Sequence, residues 1–214
     1  MPEFQVLATP EDVARAAADQ IVAALNGGAR TFVLAGGNTP KRCYELLAGA
    51  DVRWGRVTVL FGDERCVPPD HPDSNYRTAH ESLLDRVSPA TVHRIAGELG
   101  PDEAAAAYDR IVGVLVPLDV VLLGAGEDGH TASLFPGRAE VQAKGWAVGV
   151  RNAPKPPPDR VSLTLPALQG ARHVIVVATG AGKADAVAKA RRGEVPSGMI
   201  AGALWLIDRA AAGQ

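Results

Sequence analysis

The stretch Val120-Val121-Leu122-Leu123-Gly124-Ala125-Gly126-Glu127-Asp128-Gly129-His130-Thr131-Ala132-Ser133-Leu134-Phe135-Pro136-Gly137 decides how the chain reads. It begins as a continuous apolar run, the pattern of a strand covered on both faces in a parallel sheet. The run breaks at Gly124, Gly126 and Gly129, which let the backbone turn sharply and approach a ligand closely. In an open α/β sheet, ligands bind beyond the carboxyl ends of the strands. Glu127, Asp128 and His130 stand just past this one. An imidazole beside a carboxylate at such a place is the equipment of general acid–base chemistry.

The same residues contain a decoy. Gly124 to Gly129 fits G-x-G-x-x-G, the dinucleotide fingerprint. Its variable positions carry two carboxylates, Glu127 and Asp128, which would face a pyrophosphate. Pro136 leaves little room for the long helix that should follow. The next strand-like run, Trp146 to Val150, does not end in the acid that would hold a ribose. A nucleotide cofactor is therefore not expected.

With 214 residues the chain can bury a full core, and a single domain over 1–214 is expected. A formal net charge of -2 supplies no basic field for nucleic acid or a membrane surface. The opening Pro2-Glu3-Phe4-Gln5 has no charged-then-apolar leader, and no apolar run approaches the ~20 residues of a transmembrane helix. Cys43 and Cys66 show neither metal nor redox spacing. These features lead us to expect a cytoplasmic protein without nucleic-acid or membrane partners; a monomer is the default expectation, which no sequence feature decides.

Working outward, Thr9-Pro10-Glu11-Asp12 starts a helix: Thr9 caps it, Pro10 takes the first position and acids fill the first turn. Thr31 to Ala35 is a short buried strand. Gly36-Gly37-Asn38-Thr39-Pro40 follows and leads into a helix from Lys41 to Ala48. Strand, glycine turn and helix start together aim free backbone N–H groups at an anion. Val57 to Phe61 is the next strand, with Gly62-Asp63-Glu64-Arg65 at its end. The Arg65 fork matches phosphate or carboxylate. Ser74-Asn75-Tyr76 opens a helix expected to run to about Val87, and Pro101 another to about Val114. His80-Glu81 lacks the second histidine of a zinc-protease helix, since position 84 is Leu84. His71, His80 and His93 receive no catalytic role.

Trp146 to Val150 reads as a weak strand, Val161 to Thr164 as another and His173 to Ala178 as a strong one. Thr179-Gly180-Ala181-Gly182-Lys183 after it lacks the residues of a P-loop. Lys183 at a helix start suits a phosphate, although a plain surface lysine has the same local sequence. Ala203 to Ile207 is the last strand. The alternation predicts an α/β fold: a single doubly wound, mostly parallel, Rossmann-like sheet with helices on both faces. No nucleophile elbow and no metal-ligand spacing stands out, so no metal is expected. What remains is proton transfer, or water attack, on a small phosphorylated molecule.

Four stretches resemble the 6-phosphogluconolactonase family: Gly36 to Lys41; Gly62 to Pro68 with Ser74 to Arg77; Gly124 to Gly137; and Arg160 to Pro166 with Thr179 to Lys183. The resemblance covers nearly the whole chain. Ala35 stands where the family commonly has serine, and Gly198-Met199-Ile200 departs from its usual C-terminal pattern. The resemblance implies hydrolysis of 6-phospho-D-glucono-1,5-lactone without a cofactor. In it His130 is the general base and Asp128 orients its imidazole. Arg65 holds the substrate; Gly37, Asn38, Thr39 and Lys183 form the phosphate site, with Arg42 and Arg151 further candidates. Asp63 either orients sugar hydroxyls or caps its own loop. N–H groups of the Gly124–Gly129 turn are expected to face the oxyanion. The alternatives are a glucosamine-6-phosphate deaminase, or a non-catalytic sugar-phosphate sensor. The deaminase pattern has a glutamate where this chain has Phe135 and a tyrosine where it has Arg65.

Overall fold

The computed structural model describes residues 2–214. In chain order the strands are β1 (Glu3–Leu7), β2 (Thr31–Leu34), β3 (Thr58–Phe61), β4 (Asp63–Arg65), β5 (Thr91–Val92), β6 (Val120–Gly124), β7 (Ala147–Val150), β8 (Arg160–Leu163), β9 (His173–Ala178) and β10 (Leu204–Asp208). The helices are α1 (Pro10–Asn26), α2 (Asn38–Leu47), α3 (Asn75–Ala79), α4 (Pro101–Gly113), α5 (Leu165–Gln169) and α6 (Ala184–Arg191).

Seven strands form one sheet in the order β1-β10-β9-β6-β2-β3-β5, and every pairing in it is parallel. From β2 the chain steps outward to β3 and β5; it then returns to β6 and steps the other way to β9 and β10. The winding direction therefore reverses between the neighbours β2 and β6, and helices surround the sheet. The expected doubly wound sheet is present. What the single-sheet expectation lacked is a second, three-stranded sheet, β4-β8-β7, whose pairings are antiparallel. The Trp146–Val150 and Val161–Thr164 runs belong there rather than in the main sheet.

Burial explains the main elements. Val120 to Leu123 are fully buried, as a central strand covered on both faces requires. Thr9 caps α1 as expected, accepting from the Asp12 N–H while the Asp12 carboxylate takes the Thr9 N–H. Pro136 does exclude a long helix after β6: the next turn is a short 3-10 segment at Ala139–Gln142. The helix expected from Ser74 to Val87 is shorter. It is regular only to Ala79 and widens into a π-helical turn over His80–Leu84. β1, which the sequence reading passed over, is a largely exposed edge strand held by Phe4 stacking on Trp205 at 5.1 Å.

Two buried tyrosines finish the neighbouring strands β2 and β3. Tyr44 of α2 donates its hydroxyl to Ala35 O and accepts from Ala35 N, both at 2.7 Å. Tyr108 of α4 does the same at Phe61, accepting from N at 2.7 Å and donating to O at 2.9 Å. Each hydroxyl satisfies one residue's donor and acceptor where the ladder ends. Tyr44→Phe should leave both groups buried without partners and lower unfolding free energy by about 1–3 kcal/mol. Urea denaturation checks it; an unchanged midpoint would show that water or a shifted backbone replaces the hydroxyl.

Candidate active site

The reversal opens a cleft of about 200 Å³ at the carboxyl ends of β2 and β6. Ala35, Gly36 and Gly37 line it from β2; Gly124, Ala125, Gly126, His130 and Ala132 from β6. Asp63, Arg65 and Arg160 come from the small sheet, and Lys155 and Lys183 complete the lining. A larger hollow of about 710 Å³ lies at the other end of the strands, against Asp119 and Arg172. Those two side chains pair with each other at 3.2 Å, and none of the acid–base residues lines that hollow.

His130 faces the cleft with its Nδ1 2.5 Å from Asp128 Oδ1. The same carboxylate oxygen accepts the His130 backbone N–H at 3.2 Å, which fixes the two side chains together. Their pairing depends on Gly126. A β-carbon there would lie 2.0 Å from His130 Nδ1 and 2.6 Å from Asp128 Oδ1. On the other side the imidazole packs against Phe135, ring centroids 4.5 Å apart. This burial pulls the His130 pKa below its ordinary value, and the Asp128 carboxylate pulls the other way. The imidazole is thus kept neutral, the form a base needs. Asp128 is itself held below the usual carboxylate range: burial raises its pKa, and the His130 hydrogen bond and charge outweigh that.

The small sheet is the cationic wall. Its register sets Arg65 opposite Arg160 and Asp63 opposite Ser162. Residues directly opposite, and those two apart, share a face, so all four point the same way. Like charges directly opposite are unfavourable unless an anion lies between them. Arg65 donates one nitrogen to Asp73 O at 2.6 Å, but its buried Nε has no partner. Asp63 is 6% exposed and ties the walls together. It accepts from Ser133 Oγ at 2.6 Å and from Asn75 Nδ2 at 3.0 Å. Gly36 makes room for that amide, since a β-carbon there would meet Asn75 Oδ1 at 2.1 Å. Glu64, on the opposite face, accepts from Ser74 Oγ and from the N–H groups of Arg65, Asn75 and Tyr76. It ties Arg65 to the start of α3.

The two expected phosphate loops meet. Thr39 Oγ1 lies 2.9 Å from Thr179 Oγ1, and the buried Asp208 carboxylate accepts the Gly180 N–H at 3.0 Å. Gly37 and Lys183 line the cleft; Asn38 and Thr39 sit just behind, in the first turn of α2. The N–H groups of Gly36 and Gly37 have no acceptor among the described residues. Burial lowers the Lys183 pKa, partly offset by Glu127.

Three expectations need correction. Arg42 is not at the cleft: one turn into α2 it faces α1 and pairs with Glu11 and Glu45, each at 2.8 Å. Arg151, at the end of β7, is drawn to Asp102 at 2.6 Å and does not line the cleft either. The Gly124–Gly129 turn has most of its donors engaged, and only the Glu127 and Asp128 N–H groups lack an acceptor among the described residues. Ala125 N–H bonds Val177 O, Gly126 N–H bonds His130 O and Gly129 N–H bonds Gly126 O. Arg160 and Lys155 were not singled out as site residues. The available signal was a charged residue opening an apolar strand, two positions after a proline run that Lys155 precedes. None of His71, His80 and His93 lines the cleft, and no group of three or more metal-ligating side chains is assembled among the described residues.

Two outcomes follow from this geometry. Gly126→Ala should displace the imidazole and lower kcat by about 10²-fold, the cost of an ångström-scale misplacement; unimpaired turnover would show that the dyad geometry is dispensable. A neutral base makes kcat/KM rise with pH through the His130 pKa, which lies below about 6.5. Asp128→Asn removes a carboxylate that raises that pKa, so the acidic limb should move to lower pH while kcat falls. An upward shift of the limb would contradict the assignment.

The model of the family described as glucosamine-6-phosphate isomerases/6-phosphogluconolactonase matches residues 8–206. A 6-phosphogluconolactonase of Streptomyces coelicolor is 38% identical, with 100% of this chain and 94% of that protein covered. One of Mycobacterium leprae is 43% identical over 85% of this chain and 83% of its own length. The solved 6-phosphogluconolactonase of Trypanosoma brucei matches with a TM-score of 0.89 at 29% identity, covering 100% of this chain and 98% of that one. A monomeric glucosamine-6-phosphate deaminase shares the fold, with a TM-score of 0.86 at 20% identity and 99% of each chain covered. With the family model spanning nearly its whole length, the chain belongs to the glucosamine-6-phosphate isomerase/6-phosphogluconolactonase family.

Proposed function

We propose that this chain hydrolyses 6-phospho-D-glucono-1,5-lactone to 6-phospho-D-gluconate, in the oxidative branch of the pentose phosphate pathway. The observation that carries the reading is the Asp128–His130 pair opening onto a cleft walled by Arg65, Arg160 and Lys183. With Nδ1 committed to Asp128, Nε2 of the neutral imidazole takes a proton from water as the water attacks C1. Asp128 stabilises the imidazolium that forms. The C1–ring oxygen bond then breaks, and His130 returns the proton to the departing oxygen. Arg65 holds the substrate and supplies positive charge where the oxyanion grows. The Gly36 and Gly37 N–H groups, the first turn of α2 and Lys183 take the phosphate. Asp63, with both oxygens engaged, holds the cleft walls in register.

No metal enters this scheme, because a lactone carbonyl is already electrophilic and positioning plus one base suffices. The whole chain acts as one unit. Two unpaired cysteines support the reducing cytoplasm. Phe135 argues against the deaminase reading. It is 1% exposed and packed beside the base, a phenyl wall where that reaction needs a further carboxylate. The intact base argues against a mere sensor.

Freshly generated lactone, followed against its spontaneous hydrolysis, tests the proposal. Rapid formation of 6-phosphogluconate is expected, surviving exhaustive chelation, with no ammonia from glucosamine-6-phosphate. Robust ammonia release would move the enzyme to the deaminase branch. Absence of any turnover would favour the sensor.

A further inference from the structure

Lys155 lines the cleft from the proline-rich loop between β7 and β8, and the mechanism above gives it no role. Its ammonium makes no ion pair among the described residues, whereas half-buried Lys189 pairs with Asp185 at 2.7 Å. The loop that carries it is fastened from below. Arg160 is 4% exposed and donates Nε to Pro157 O at 3.0 Å. Its terminal nitrogen donates to Lys155 O at 3.0 Å and Pro156 O at 3.2 Å. The Ala153 N–H closes the loop on Pro158 O at 2.7 Å. Prolines with fixed φ stiffen what the guanidinium holds.

This arrangement spends Arg160 on backbone carbonyls. A fourth, longer bond, to Ser133 Oγ at 3.4 Å, engages another of its nitrogens. Little of its fork remains for a bidentate clamp on a ligand. Lys155, by contrast, has all three donors free. It lines the same cleft as Lys183, whose charged form is disfavoured first by burial and further by the Lys155 ammonium, with Glu127 and Asp128 pulling the other way. Two unshared ammonium groups converging on one cleft are accommodated by an anion of more than one charge between them. A phosphate monoester dianion fits, and a singly charged carboxylate fits less well.

We propose that Lys155 is a substrate-binding residue that closes with Lys183 on the substrate's phosphate, and that Arg160 is the positioning residue holding the Lys155 loop over the cleft. The inference rests on the lactonase reading for the identity of the substrate. Exposure of the lysine does not count against it, since a charge-assisted contact forms only when the anion arrives.

Steady-state kinetics on wild type, Lys155→Met, Lys155→Arg, Arg160→Met and the Lys155→Met/Arg160→Met double variant test it. Phosphorylated and unphosphorylated gluconolactone are compared, and binding of inorganic phosphate is measured by calorimetry. Lys155→Met should raise KM for the phosphorylated lactone about tenfold with kcat changed far less, as loss of a charge-assisted contact does. The preference for the phosphorylated substrate should narrow by a similar factor, phosphate binding should weaken, and Lys155→Arg should restore most of each. Arg160→Met should raise KM at least as much, and the double variant should match it rather than add to it. If Arg160→Met folds poorly, Arg160→Lys takes its place with the same non-additivity expected. An unchanged KM in Lys155→Met, or a fall in kcat alone, overturns the clamp; additive effects overturn the role of Arg160. A wild type without lactonase activity overturns the functional reading instead, and phosphate calorimetry then still reports on Lys155.

Discussion

Two neighbouring parallel strands whose connections leave in opposite directions cannot be roofed by either connection. β2 and β6 are such a pair, and the cleft is the gap this leaves above them. Everything chemical in the molecule is arranged around that gap. The strand end of β2 is finished by the Tyr44 hydroxyl from beneath, so the chain can leave the sheet without stranding polar backbone. Beyond each strand end a glycine admits a side chain that any β-carbon would displace: Asn75 over Gly36, and the His130–Asp128 pair over Gly126.

Opposing effects set the site's electrostatics. Burial against Phe135 disfavours the charged imidazole, while Asp128 favours it; the first wins in the resting state. Once water gives up its proton, the same carboxylate stabilises the imidazolium. The cationic wall follows similar logic. Setting Arg65 opposite Arg160 on a buried strand pair is unfavourable by itself. The network through Asp63, Ser133 and Asn75 makes it tolerable, and an anionic ligand completes the balance. Removing one partner from such a buried network typically costs several kcal/mol.

What could be read in the sequence was local. The β6 run and its glycine break, the Thr9 cap and the proline that halts the chain after the loop each act within a few residues. The structure reproduces them. What could not be read depended on partners far away in the chain. β1 is an exposed edge strand, so it carries little apolar pattern. The small sheet exists because β4, three residues long, finds β8 almost a hundred positions later. Arg42 and Arg151 have suitable chemistry, but a helical rotation and an acidic neighbour on α4 turn them away. Arg160 shows the reverse case. Its burial beneath the proline loop becomes visible only when that loop is folded over it.

The account stands or falls on His130 as the proton acceptor. The direct measurement is kcat for freshly generated 6-phosphogluconolactone with His130→Ala, after circular dichroism and thermal melting have established that the variant is folded. A positioned general base contributes roughly 10²–10⁴-fold, and a fall of that size toward the spontaneous rate is predicted. A folded variant that turns over at nearly the wild-type rate would contradict it.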